Sequence, residues 1–90
     1  DVDLAAQVEQ AYTNLLTALA GVGATYADVA KVTVYVVDLD QEKLGPFVDG
    51  ALRVAEAHGI DPTRPMTMVG VTALAEPDLL VEVEAIAVLE

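Results

Sequence analysis

The sequence lacks several residue types that common active sites need. It has no cysteine, which excludes disulfide bonds, thiolate zinc sites and thiol nucleophiles. His58 is the single histidine, so any Ser-His triad would have to be built around it. Only four residues are Lys or Arg, against fifteen Asp or Glu, and the net charge is −11. Because phosphate backbones and anionic lipids are bound by clustered basic side chains, we expect neither nucleic acid nor a membrane as partner.

No apolar run approaches the roughly 20 residues that span a bilayer, and no signal peptide is visible, so the sequence predicts a cytoplasmic protein. Its 90 residues predict one domain, residues 1–90. Hydrophobic residues make up 54% of the chain but aromatic residues only 4%, so the apolar surface is mostly Val, Leu and Ala. A small chain with this much aliphatic surface is expected to form a homo-oligomer. It begins with Asp1 instead of methionine, which we interpret as a trimmed or incomplete N-terminus.

An apolar stripe at helical spacing predicts a first helix. Its members recur every three or four residues: Leu4, Val8, Tyr12, Leu15 and Leu19. Asp1 or Asp3 can cap its start, and Gly21 or Gly23 can end it.

A second stripe predicts another helix, closed by His58 and Gly59. Its members are Phe47, Val48, Ala51, Leu52 and Ala55. Two starts are open: Pro46 in the first turn, or a helix from Gln41 that is kinked at Pro46. Gly50 weakens the middle of the helix, which suggests a close approach to the sheet at that point.

Three segments are predicted to be strands: residues 30–37, 66–72 and 80–89. The order α-β-α-β-β indicates an α+β fold, a mixed sheet with helices on one face. The first two strands, joined by a helix, should be parallel, and residues 73–78 suit an antiparallel return. The first strand has β-branched residues on both faces, which predicts helices on one face and an oligomer contact on the other.

Arg64 stands between Pro62-Thr63 and Pro65 at the start of a predicted strand. The guanidinium group suits bidentate capture of a carboxylate, while the alternative is an exposed salt bridge with one of many acidic residues. Glu82 and Glu84 are two residues apart on a strand, so both share a face with Ile86 and Val88. Partial burial at an interface would prepare Glu82 for proton transfer; alternatively, both carboxylates solvate an exposed face. Glu84 could equally be structural.

Five segments, in order and at matching spacing, resemble the RidA/YjgF family of reactive intermediate deaminases (endoribonuclease L-PSP-like). They are residues 20–24 (AGVGA), 28–35 (DVAKVTVY), 38–39 (DL), 62–65 (PTRP) and 81–88 (VEVEAIAV). The resemblance implies a chorismate-mutase-like homotrimer with active sites between subunits. It also implies hydrolysis of 2-imino or enamine acids to 2-keto acids and ammonia, without a cofactor or metal.

The resemblance also implies roles for three residues. Arg64 occupies the position of the family's carboxylate-binding arginine, Met66 a position whose backbone helps to hold the substrate, and Glu82 that of its water-positioning glutamate. Three features depart from the family: Pro65 replaces its usual serine, no hairpin precedes the first helix, and the family's asparagine on the second helix has no counterpart at residues 45–47. We therefore expect a divergent or N-terminally incomplete member, and the alternative function is a catalytically idle trimer that binds small carboxylates or acts as a scaffold.

Overall fold

The computed structural model describes residues 3–89, which form two helices and three strands. The elements are α1 (Leu4–Gly21), β1 (Val29–Val37), α2 (Leu44–His58), β2 (Met66–Val71) and β3 (Val81–Ala87). Short 3₁₀ turns, Tyr26–Asp28 and Gln41–Lys43, precede β1 and α2. The predicted order α-β-α-β-β is therefore confirmed, with β3 shorter than expected at both ends.

Local capping fixes the ends of α1. The Asp3 carboxylate accepts hydrogen bonds from the backbone N–H groups of Ala5 (3.0 Å) and Ala6 (3.4 Å), two donors that the helix itself cannot satisfy. Of the two proposed caps, Asp3 is thus in place, while Asp1 lies outside the described residues. The helix ends at Gly21, and Gly23 follows in the left-handed region with φ 77°.

The start of α2 agrees with one of the two predicted alternatives. The helix begins at Leu44, so Pro46 lies in its first turn, where no helical hydrogen bond is lost. The residues from Gln41 to Lys43 form a separate turn before it. At the other end Gly59 takes the left-handed conformation, φ 63°, that terminates the helix.

The sheet has the order β2-β1-β3, so β1 is central. It pairs in parallel with β2, as predicted, with Val34 opposite Met68. It pairs antiparallel with β3, with Val34 opposite Val83. The antiparallel return is thus made beside β1 and not beside β2, because β3 crosses to the far side of β1. This arrangement places the most Val-rich strand at the centre, where both of its edges are hydrogen-bonded.

The core lies between the helices and one face of the sheet. Val32, Val34 and Val36 on β1 are at most 1% exposed, and they form one cluster with Val8 of α1 and Val54 of α2. The helices therefore cover the face of β1 that carries these three valines, in agreement with the prediction that helices cover one face of this strand.

Gly50 makes a close approach, but to α1 and not to the sheet as expected. A Cβ atom at Gly50 would lie 2.5 Å from the carbonyl oxygen of Ala5 and 2.7 Å from Cβ of Val8. Glycine therefore lets the two helices touch almost backbone to backbone. Within residues 3–89 neither helix is long and apolar enough to cross a membrane.

Candidate active site

The face of the sheet opposite the helices carries the two glutamates of β3. Glu82 lies opposite Tyr35 of β1, and Glu84 lies opposite Thr33. Both carboxylates are exposed in the single chain, as is Ile86. The prediction that these residues share one face is confirmed for β3, while Val88 lies beyond the end of the strand.

The two glutamates differ in what holds them. The hydroxyl of Tyr35 donates a hydrogen bond of 2.9 Å to Oε1 of Glu84. This bond stabilises the neutral phenol and raises the pKa of Tyr35. No hydrogen bond or ion pair to the carboxylate of Glu82 is found among residues 3–89. Glu84 is thus fixed to its neighbouring strand, whereas Glu82 remains free to contact a water molecule or a ligand.

Arg64 lies on the loop between α2 and β2, and no carboxylate of residues 3–89 is within 4.0 Å of its guanidinium. The alternative of a surface salt bridge is therefore not realised within this part of the chain. Its Nη1 donates to the carbonyl oxygen of Thr63 at 2.7 Å, and its Nε is buried without an acceptor. The guanidinium carbon lies 5.5 Å from the ring centroid of Tyr26.

The Arg64 loop is held at several points. The Asp61 carboxylate accepts from the backbone N–H of Thr63 at 2.9 Å. Hydrogen bonds from Thr63, aided by the charge of Arg64, hold the pKa of Asp61 below its usual value. Beyond the arginine, the N–H of Val32 on β1 donates to the carbonyl of Pro65 at 2.9 Å. A cavity of about 230 Å³ opens beside this loop, lined by residues 25–27, 59–61 and Arg64.

Met66 begins β2 directly after this loop. It lies opposite Val32 in the parallel pair, and 39% of its surface is exposed. The backbone at Met66 thus follows the fixed Pro65, two residues after Arg64.

Within one chain, Arg64 and Glu82 are far apart. Met66 lies opposite Val32 on one side of β1, whereas Glu82 lies opposite Tyr35 on the other side. With about 3.3 Å per residue along a strand and about 4.8 Å between strands, this register separates the Cα atoms of Met66 and Glu82 by about 14 Å. Arg64 lies two residues further from Glu82 along the chain. The two side chains therefore do not form one site inside a single subunit.

Comparison with known proteins identifies the family. The family model described as Endoribonuclease L-PSP matches residues 1–89. The chain belongs to this family. Among solved structures, YyfB of Yersinia pestis, from the conserved Rid family, is 41% identical over 98% of the chain, with a TM-score of 0.81. Rv2704 of Mycobacterium tuberculosis, from the YjgF/YER057c/UK114 family, is 37% identical over 99% of the chain, with a TM-score of 0.80.

The Escherichia coli YjgF gene product has the same fold, with 27% identity over 98% of the chain and a TM-score of 0.81. The chain spans 64%, 70% and 66% of the length of these three structures, in the order given. A comparison with curated protein sequences gave no significant match. Membership of the L-PSP family and the α+β, chorismate-mutase-like fold are thus as the sequence motifs predicted.

One residue of the candidate site, Tyr26, was not among those that the motifs identified. Tyr26 contacts Arg64 but was not identified from the sequence, because it belongs to the 3₁₀ turn before β1 and only the fold brings it to the loop. Its aromatic type, rare in this chain, was the one available signal. No group of three or more His, Cys, Asp or Glu side chains within residues 3–89 is arranged to hold a metal ion.

Proposed function

We propose that the chain is a hydrolytic deaminase of 2-imino and enamine acids, acting in a homotrimer with its sites between subunits. The observation that carries this proposal is the Arg64 guanidinium, which is held on a fixed loop with no carboxylate of residues 3–89 in contact. A free guanidinium in so acidic a chain suits an external carboxylate, bound by two parallel hydrogen bonds.

The sheet supports the trimer. The helices cover one face of β1, β2 and β3, while the other face has no covering element among residues 3–89. That open face carries apolar side chains: Val37, Val69, Val71 and Ile86. Ile86 is 64% exposed in the single chain. A large apolar side chain in contact with water is unfavourable, and a second subunit that covered it would remove that contact. Assembly through this face would bring Glu82 of one subunit towards the Arg64 loop of the next.

The chemistry needs few groups. Arg64 binds the substrate carboxylate, with the backbone at Met66 beside it, and orients the C=N carbon towards a water molecule at Glu82. Glu82 accepts a proton as the water oxygen bonds to that carbon, and then returns a proton to the nitrogen. The C–N bond then breaks while the new hydroxyl group gives its proton to the Glu82 carboxylate, so that ammonia leaves and the carbon becomes the carbonyl of a 2-keto acid. No bound cofactor takes part in these steps.

Two pairs of variants test the assignment. The substrate is 2-iminopropanoate, generated from D-alanine by D-amino-acid oxidase, and pyruvate formation above the spontaneous rate is followed with lactate dehydrogenase. We expect Glu82→Gln to lower kcat by about 10²- to 10⁴-fold, as for loss of a general base. Glu84→Gln, on the same face but bonded to Tyr35, should stay within a few-fold of the wild type.

For the anchor, we expect Arg64→Ala to raise KM by about 10- to 100-fold, because a charge-assisted hydrogen-bond pair is lost. Arg53→Ala is the matched control, since Arg53 lies on α2 with only an exposed ion pair of 3.6 Å to Glu9. Equal rates for Arg64→Ala and the wild type would refute the assignment of the anchor.

The second candidate is a trimer that binds small carboxylates without catalysis. Pro65 favours it, because proline has no backbone N–H to offer a substrate beside Arg64. Pyruvate binding that depends on Arg64, with no acceleration of imine hydrolysis, would select this alternative. RNA is not expected to bind, because four cationic side chains in a chain of net charge −11 cannot neutralise a run of phosphates.

A further inference from the structure

Tyr26 makes two contacts with the segment that carries Arg64. The residue is 2% exposed, and its hydroxyl donates a hydrogen bond of 3.1 Å to the carbonyl oxygen of Pro62. Its ring also lies under the guanidinium of Arg64, with 5.5 Å between the guanidinium carbon and the ring centroid. One buried side chain therefore fixes both the backbone of the loop and the charged group at its end.

The ring is the long-range contact that holds the guanidinium. Nη1 of Arg64 bonds only to the carbonyl of the adjacent residue, Thr63, and Nε has no acceptor within residues 3–89. The remaining interaction that joins the guanidinium to another element is the one with the face of Tyr26, on the turn before β1. An arginine beside an aromatic face is attracted by the electron-rich ring.

Tyr26 is itself rigidly placed. Its ring packs edge-on against Tyr12 of α1, with 6.3 Å between the centroids, and Tyr12 packs against Phe47 of α2 with centroids 6.2 Å apart. Burial raises the pKa of Tyr26, so its hydroxyl keeps the proton that it donates to Pro62 at neutral pH. An aromatic stack thus runs from both helices to the Arg64 loop.

From this geometry we propose that Tyr26 is a positioning residue, which presets the Arg64 guanidinium for carboxylate binding. The inference rests on the proposed role of Arg64 as the carboxylate anchor. A free arginine side chain must lose rotamer freedom when it binds a ligand, and a side chain already held in place loses less. Because the contact acts on the anchor and not on the reacting atoms, its removal should change substrate affinity and leave kcat largely unchanged.

Two variants separate the contributions of the ring and the hydroxyl. Tyr26→Leu removes both, and we expect pyruvate binding, measured by isothermal titration calorimetry, and affinity for 2-iminopropanoate to weaken by about 5- to 30-fold. Tyr26→Phe keeps the ring, and we expect a loss of about 2- to 10-fold from the hydrogen bond to Pro62. Phe47→Leu is the matched control, since it removes a buried ring from the same stack without touching Arg64.

The Nε–Hε resonance of Arg64 gives a readout that needs no ligand. It should show a ring-current shift in the wild type, in Tyr26→Phe and in Phe47→Leu, and lose it in Tyr26→Leu. A folded Tyr26→Leu protein that binds pyruvate as tightly as the wild type would overturn the proposal, as would an equal affinity loss in Phe47→Leu. If Tyr26→Leu does not fold, two other results together would overturn the proposal. They are a Tyr26→Phe protein that binds pyruvate as tightly as the wild type, and an Arg64 resonance without a ring-current shift in the wild type.

The failure of the proposed function has a different signature. In that case the wild type and Arg64→Ala would bind pyruvate equally well, or neither would bind it. When only the Tyr26 inference is wrong, Arg64→Ala loses binding and the Tyr26 variants retain it.

Discussion

Mixed trimers offer a direct test of a site that is divided between subunits. The register of the sheet places Arg64 and Glu82 on opposite sides of β1, with Met66 and Glu82 already about 14 Å apart. If one site takes its arginine from one subunit and its glutamate from the next, Arg64→Ala and Glu82→Gln should complement each other. Threefold symmetry sets the magnitude, because every mixed trimer, whether 2:1 or 1:2, contains one interface with both native residues. One site in three is then intact.

The two variants are coexpressed with different affinity tags, and trimers that retain both tags are purified in two steps. At substrate concentrations below KM, we expect these mixed trimers to hydrolyse 2-iminopropanoate at about one third of the wild-type rate, while each parent variant is slower than the wild type by about 10-fold or more. Sedimentation equilibrium establishes the oligomeric state of each sample. Mixed trimers no more active than their parents would refute the divided site, because a site built within one chain is defective in every subunit.

Three further predictions concern stability, pH and assembly. Gly50→Ala should lower the free energy of unfolding by about 1–2 kcal/mol, because the new Cβ would lie 2.5 Å from the carbonyl oxygen of Ala5. Gly45→Ala, whose Cβ would have nothing within 4 Å, should raise it by up to about 1 kcal/mol. Urea unfolding at matched protein concentration measures both changes. Burial raises the pKa of Tyr12 in the folded state, so the contribution of Tyr12 to the free energy of unfolding is complete below pH ~10 and should be lost as the pH rises above that value. Tyr12→Phe should therefore reduce the loss of stability at alkaline pH, measured by urea unfolding, and an unchanged loss would contradict this prediction. Ile86→Asp should convert the proposed trimer to monomers at micromolar concentration without loss of helical circular dichroism, and a trimer that persists would exclude this face as the contact.

The sequence was sufficient for the helices and for the faces of the strands. Helical spacing and capping residues such as Asp3 and Gly59 are local signals, and local hydrogen bonds decide those ends. The order of the strands is not a local property. The alternation of apolar and polar residues identifies which residues of β3 face the core. It does not say which edge of β1 the strand pairs with, because the alternation would be the same at either edge. The position of β3 beside β1, which the sequence left open, and the wrong partner of Gly50 have this common cause.

Arg64, Met66 and Glu82 could be proposed from the sequence, but Tyr26 and the geometry of the candidate site could not. Arg64 is singled out by its prolines, whereas Glu82 is distinguished from Glu84, on the same face, only by the resemblance to the family. The hydrogen bond from Tyr26 to Pro62 joins residues that are 36 positions apart in the sequence, and no helical or strand periodicity predicts it. The bond from Tyr35 to Glu84 likewise depends on the register of β1 and β3, which distinguishes two glutamates that are equivalent in sequence pattern.

The acidity of the chain offers a reason why Arg64, the proposed carboxylate anchor, is held by an aromatic ring and not by a carboxylate. A carboxylate substrate approaching a chain of net charge −11 meets electrostatic repulsion. At physiological salt this repulsion is largely screened at distances beyond about 8 Å but persists at shorter ones. Attraction must then come from a cation that is close, correctly oriented and not already neutralised by one of fifteen acidic residues. The ring of Tyr26 holds the guanidinium without adding a negative charge, whereas a carboxylate partner would cancel the charge that the substrate must find. An aromatic support is therefore the kind of contact that an anion-binding arginine requires in so acidic a protein.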